Sequence, residues 1–320
     1  MKSFFYAELE GIQTEMRKDP NIFMFFEYQI PVAAAPGKPV INLEKEFGRL
    51  RVNHAGLDEI WYIGAAMGAG MTGQRAIGHI PSMTPLVPFE LIAWHAGRLR
   101  HMTGGQATFP VLLIIQQSNM APGSAGQHSC YGEEKYYAGT PGIKVVIPST
   151  PYDAKGLAIA ALRDPDPVVY IETRGMPTIG EDAPDEAYEV PIGKAKIVSE
   201  GKDITIVGFG LIMEQMYKTL DKLKSEGVSA EVIDLRTINP LDDQTVINSV
   251  KKTGKLLCAE SGYYTLGVMA EVVARTAEAL PGTKIKRIAF PDSPPPGSPE
   301  MMNWMKVDAG KIYNAAKKLL

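Results

Sequence analysis

A chain of 320 residues exceeds the roughly 150 residues of a typical domain, so two domains are expected. An apolar fraction of 45%, a charged fraction of 22% and a net charge of −3 are ordinary for a globular protein and exclude a basic nucleic-acid binder. Cys130 and Cys258 lie far apart and outside any CxxC or Cys/His cluster, which gives no sign of a disulfide framework or a structural zinc. The longest apolar runs, such as Val111 to Ile115, fall far short of a membrane span, and Glu8 and Glu10 interrupt the N-terminal segment. A cytoplasmic protein is expected.

Phe5, Leu9, Ile12 and Met16 recur at helical spacing, Asp19-Pro20 ends the pattern, and Ile22 to Phe26 reads as a buried strand. Ala33 to Pro39 is a loop. Leu57 to Met71, apolar on nearly every side with Gly64, Gly68 and Gly70, predicts a buried, closely packed helix. A helix over Leu86 to Met102 closes at Thr103-Gly104-Gly105, and a strand at Val111 to Ile115 leads into a Gly/Ser/Pro-rich loop from Gln116 to Gly126. Lys144 to Ile147 is a strand, Pro151 to Arg163 a helix with proline at its start, and Val168 to Ile171 a strand. The Gly, Pro and acid-rich stretch from Arg174 to Asp203 carries the inter-domain linker. Strands at Ile204 to Val207, Glu231 to Ile233, Leu256 to Ala259 and near Ile285 then alternate with helices over Ile212 to Glu226, from Asp242 and from Val268. Regular alternation of this kind predicts an α/β protein of two domains, each a mostly parallel sheet flanked by helices. Their predicted spans are 1–185 and 204–320, joined by 186–203.

The common catalytic signatures GxSxG, HExxH and GxxxxGK[ST] are absent. Gly208-Phe209-Gly210 follows a strand and reads as a tight strand-to-helix turn. Glu59 opens an otherwise apolar helix; it is either a first-turn acid favouring the helix dipole or a buried carboxyl able to exchange a proton with a bound heterocycle. His128, in Gln127-His128-Ser129 after the flexible loop, is either a proton carrier or a cap for the next helix. His54, His79, His95 and His101 show no metal-ligand spacing and read as structural or surface residues.

Several spaced motifs add a further indication: Pro148-Ser-Thr-Pro-Tyr-Asp-Ala-Lys-Gly156, Arg163-Asp-Pro-Asp-Pro-Val168, Glu231-Val-Ile-Asp-Leu-Arg-Thr237 with Pro240-Leu241-Asp242, and Val250-Lys-Lys-Thr-Gly254. Leu99-Arg100, Gly104-Gly105-Gln106 and Pro291-Asp-Ser-Pro-Pro-Pro-Gly297 accompany them. In this order they resemble, over nearly the whole chain, the β subunit of the decarboxylating component of thiamine-diphosphate-dependent 2-oxoacid and acetoin dehydrogenases, a transketolase-like family. The resemblance implies that Glu59 activates thiamine diphosphate by bonding its aminopyrimidine N1′. It also implies that His128 assists transfer to a lipoyl group, and that Glu27, Met83 and Pro85 stand near the cofactor. It implies a monovalent cation, K+, at Leu113, Ala161, Leu162, Asp164 and Asp166, where oxygen ligands suit a hard ion; Asp164-Pro165-Asp166-Pro167 can equally be a helix-ending turn.

No Gly-Asp-Gly is present, so the resemblance implies that Mg2+ and the diphosphate are held by a separate α subunit. An α2β2 heterotetramer sharing its cofactor between chains follows, with a dihydrolipoyl acyltransferase core as a further partner. The chain departs from the family at Glu59-Ile60-Trp61, where Glu-Ala-Gly is usual, and at Phe26-Glu27-Tyr28 and Pro81 to Pro85, the last lacking any aromatic residue. A specialised member is implied. A split transketolase-like carboligase subunit and a β-like scaffold without catalysis are the alternatives.

Overall fold

The computed structural model describes residues 1–26, 31–54, 56–80, 86–117, 132–173 and 176–320. They form two compact units, one of 1–119 with 136–192 and the other of 120–135 with 193–320. In chain order the elements up to residue 173 are α1 Phe4–Lys18, β1 Ile22–Phe26, β2 Val32–Ala33, β3 Ile41–Asn42, α2 Leu43–Phe47, β4 Val52–His54, α3 Glu59–Met71 and β5 Arg75–Ile80. A π-helical turn at Leu91–Ala96 runs into α4 Gly97–Met102, followed by β6 Val111–Gln117, α5 Glu134–Ala138, β7 Lys144–Val146, α6 Pro151–Arg163 and β8 Val168–Thr173.

The parallel strands of the first unit run in the order β7-β8-β6-β5-β1-β4. Because side chains alternate along a strand, two faces form. Met24, Phe26, Ile77, Leu112, Ile114, Val168 and Tyr170 pack with Leu9 and Ile12 of α1 and Leu157 and Ala161 of α6. The opposite face takes α3, and at Gly78 a Cβ would stand 2.7 Å from Ile63 of that helix. Helices α1 and α6 approach closely at Gly11, where a Cβ would lie 2.9 Å from the Lys155 carbonyl, and Arg163 clamps Glu15 through two bonds of 2.8 and 2.7 Å.

The motif from Pro148 to Gly156 is architectural. Thr150 caps α6 by accepting from the Asp153 N–H at 3.1 Å, and its hydroxyl meets the Asp153 carboxylate at 2.7 Å. Lys155 is fully buried, and its ammonium is satisfied by Glu10 at 2.9 Å and by the carbonyls of Pro184 and Asp185 at 2.6 and 2.9 Å. Gly156 leaves room for Val190, whose Cγ2 would be 2.5 Å from an added Cβ.

The second unit contains β9 Lys196–Ser199, β10 Ile204–Gly208, α7 Ile212–Ser225, β11 Ala230–Asp234, β12 Thr237–Asn239, α8 Asp243–Thr253, β13 Lys255–Tyr263, α9 Val268–Ala279, β14 Lys284–Phe290, α10 Pro299–Met305 and α11 Ala309–Leu319. Its five-stranded sheet has the order β14-β13-β10-β11-β9, with β9 antiparallel. β9 falls inside the span 186–203 that the sequence suggests as linker; its half-buried residues give no apolar alternation to read. Two further motifs are structural here. Buried Glu231 accepts from Gly201 N–H at 3.2 Å and pairs with Lys252, and Gly254 ends α8 in the left-handed conformation at φ 68°. Gly208 admits α7, since a Cβ there would meet Met216 Sδ at 2.3 Å; the Gly-Phe-Gly sequence is a packing turn.

Helix α3 departs from expectation. Ile60, Trp61 and Met71 are exposed at 54%, 46% and 64%, and Gly64 and Gly68 face open space. An all-apolar helix that is open on one side within its own chain is suited to cover by another. No described helix is long and apolar enough to cross a membrane.

Candidate functional site

Strands β1, β4, β5, β6 and β8 all end on the same edge of the parallel sheet, the carboxyl edge at which open α/β sheets bind ligands. Glu59 stands there. It is the first residue of α3, five positions after the last residue of β4, and is half-buried. Asp58 caps the helix by accepting from the Trp61 N–H at 2.9 Å. Trp61 meets Phe25 of β1 edge to face, with ring centroids 6.3 Å apart, and His54 packs on Phe26 at 5.5 Å. The carboxyl therefore sits on a rigid helix start beside the exposed apolar side of α3. Glu27, Met83, Pro85 and His128 lie outside the described residues. They follow β1, β5 and β6 in sequence.

The residues proposed for a monovalent ion cluster where α6 turns into β8, but side chains already supply the positive charge. Lys144 Nζ lies 2.6 and 2.7 Å from the two Asp164 oxygens, and Arg100 lies 2.7 Å from Asp166 Oδ1. Arg75 donates to the carbonyls of Leu162 at 2.6 Å and Asp164 at 3.2 Å, while the Ala161 carbonyl accepts from the Asp164 N–H. Leu113 is buried in β6. In the folded chain Asp164, Asp166 and the Leu162 carbonyl are thus engaged by arginine and lysine side chains. Exchange of K+ for Na+ or choline at constant ionic strength is expected to move the melting temperature by less than about 1 °C, whereas an interaction of ~1 kcal/mol would move it by about 2–4 °C. A K+-specific rise of that size in scanning fluorimetry would place an ion among these oxygens.

A polar layer that the sequence reading passed over crosses the other face of the same edge. His79, Gln116 and Glu172 continue the alternation of Ile77, Ile114 and Tyr170 on β5, β6 and β8. Gln116 Nε2 donates to Glu172 Oε1 at 3.1 Å, and His79 Nε2 lies 3.5 Å from Glu172 Oε2. Glu8 of α1 is buried above them, and burial together with the neighbouring Glu172 charge holds its carboxyl well above the usual range. His79 is thus part of a buried network. The signal that could have found Gln116 and Glu172 was a polar residue next to the end of each of two apolar strands.

In the second unit Glu260 of β13 is fully buried, with Arg287 at 3.3 Å and the Met269 N–H at 3.4 Å. Burial, then the charge of Glu134, push its pKa from 4.5 up to about 7. Between those values the folded state binds more protons than the unfolded, so stability should fall as pH rises from 4.5 to about 7 and then level off. The full effect is about 3 kcal/mol. Glu260→Gln should remove it, so that urea unfolding shows the variant gaining on the parent between pH 5 and pH 8; a pH-independent difference would mean that Glu260 is ionised throughout.

Comparison with known proteins bears on this arrangement. Residues 2–178 match the pyrimidine-binding domain of transketolase, and residues 193–312 match the transketolase C-terminal domain. A solved split-gene transketolase, an inactive β4 tetramer, superposes with a TM-score of 0.81 over 100% of this chain and 99% of its own at 18% identity, which shows the shared fold. The protein is thus of the transketolase class. The chain is 35% identical over 98% of its length to the pyruvate dehydrogenase E1 component subunit beta of Bacillus subtilis, covering 97% of that protein. It is 37% identical over 84% of its length to the corresponding subunit of Acholeplasma laidlawii, covering 82% of it. To the acetoin:2,6-dichlorophenolindophenol oxidoreductase subunit beta of Cupriavidus necator it is 34% identical over 97%, covering 95%. The chain belongs to the family of E1 β subunits of 2-oxoacid and acetoin dehydrogenases.

Proposed function

We propose that the chain is the β subunit of a heteromeric thiamine-diphosphate-dependent component that decarboxylates a 2-oxoacid, or cleaves an acetoin-like compound, and passes the acyl group to lipoamide. The observation that carries this reading is Glu59, a half-buried carboxyl on a rigid helix start at the carboxyl edge of a pyrimidine-binding domain. When bound, thiamine diphosphate supplies a carbon nucleophile that adds to a carbonyl group and stabilises the electrons left by bond cleavage. Glu59 would hold and return a proton at the aminopyrimidine N1′, and its fixed position removes the need to reorganise at each turnover. Glu27, Met83 and Pro85 are proposed to border the ring, and His128 to supply a proton during transfer to the lipoyl arm. Trp61 adds bulk beside Glu59 and suits a narrowed or specialised substrate.

This chain offers no Gly-Asp-Gly for Mg2+, so the diphosphate half is assigned to an α subunit in an α2β2 assembly. The open side of α3 and the exposed Trp94 on the π-helical turn support that assignment. The purified chain should show no 2-oxoacid-dependent reduction of an artificial acceptor with thiamine diphosphate and Mg2+, and an α subunit should restore it. Robust turnover by the chain alone would overturn the heteromeric reading. Transfer to sugar-phosphate aldehydes in place of lipoamide would favour a split transketolase.

A further inference from the structure

On the face of the sheet opposite α3, a cavity of about 350 Å³ lies between α1, β2 and the carboxyl edge. That volume is within the range of sites for small molecules. Its walls are of two kinds. Phe5, Leu9, Met24, Val32 and Ile114 make an apolar sleeve, and Glu8, His79 and Gln116 bring a carboxyl, an imidazole and an amide to it.

The polar wall is incompletely satisfied. Glu8 is 1% exposed and its Oε2 accepts no hydrogen bond; Glu172, behind Gln116 and 3% exposed, likewise has an Oε2 without one, His79 Nε2 being 3.5 Å away. Tyr170, whose hydroxyl donates to the Ala154 carbonyl at 3.1 Å, closes the network from β8. Two carboxyl groups, one imidazole and one phenol therefore face one another across α1, β5 and β8 with more acceptor than donor capacity. Buried acceptors left unpaired are costly, and a ligand that brings N–H donors and positive charge removes that cost.

We infer that this cavity is a binding site for a small organic cation, an ammonium head set on Glu8 with an apolar body in the sleeve. A bare metal ion fits less well, because the described residues contain no group of three or more His, Cys, Asp or Glu placed to hold one, and most of the wall offers no ligand atom. The inference does not use Glu59, which belongs to the other face of the sheet, and its test reads binding alone.

Benzylamine and its neutral near-isostere benzyl alcohol are suitable probes of the full-length chain. Benzylamine is expected to raise the melting temperature and to bind about tenfold or more tightly than the alcohol. Glu8→Gln should abolish the preference for the amine. Val32→Phe, at a 40% exposed position on the cavity wall where folding is not at stake, should weaken the amine about tenfold by filling the sleeve. Equal binding of amine and alcohol, no binding of the amine at millimolar concentration, stabilisation by K+ or Zn2+ without effect of the amine, or indifference to Val32→Phe would each overturn the proposal. If Glu8→Gln does not fold, the probe comparison on the parent chain and Val32→Phe decide it.

Discussion

Glu59→Gln is expected to lower turnover of the assembled enzyme by about 10² to 10⁴ while leaving its circular dichroism spectrum and melting temperature nearly unchanged. The amide keeps the size and the place of the carboxyl at the start of α3, and the cap that fixes that helix is made by Asp58. Loss of one first-turn charge is worth about 0.3–1 kcal/mol at most, which is small beside the kinetic effect. What the amide cannot do is exchange a proton with a ring nitrogen. Single-turnover measurements should place the defect before carbon dioxide release, with cofactor affinity changed much less than rate. Near-normal turnover would return Glu59 to the role of a helix-start acid and remove the main support for the proposed reaction.

The second large effect is expected on assembly. Trp61 is 46% exposed and Trp94 57% exposed, the latter with Arg98 above its ring at 5.0 Å. Large aromatic side chains standing half in solvent are the usual anchors of an interface. Trp94→Asp and Trp61→Asp should each weaken association with the α subunit by about 30-fold or more, corresponding to ~2 kcal/mol. The isolated Trp94→Asp chain should keep its stability within about 0.5 kcal/mol, whereas Trp61→Asp also loses the edge-to-face contact with Phe25 and should cost about 1 kcal/mol. Sedimentation or mass photometry of reconstituted mixtures reads the first quantity and urea unfolding the second. Unchanged assembly would place the partner elsewhere on the chain.

The amino-acid sequence determined the alternation of elements and, through its spaced motifs, the family. Helices α1 and α7 carry a clear apolar period, α6 is marked by the proline at its start, and capping residues or glycine stand at their ends; those signals are local in origin. Glu59 was legible for the same reason: an acid at the first turn of an apolar helix is conspicuous in one dimension. Strand β5 was not read, because Arg75 to Ile80 mixes Arg, Gly and His among its apolar residues, yet it lies within the first sheet, paired with β1 and β6. Its place depends on pairing with strands distant in sequence, a contact that no local window contains.

Only tertiary structure decided what surrounds the polar residues. Asp164 and Asp166 look alike as ion ligands or as turn residues in the sequence, and only the fold brings Lys144, Arg100 and Arg75 to this turn from elsewhere in the chain. The apolar sequence of α3 predicted burial, whereas the folded chain buries one side and leaves the other open, since composition records hydrophobicity but not which molecule covers it. Glu8, His79, Gln116 and Glu172 are spread over more than half of the first unit's sequence and become one network because strand register aligns the ends of β5, β6 and β8 beneath α1. Burial is a property of that register: it raises the proton affinity of Glu8, and it cannot be assigned to a glutamate before the sheet exists.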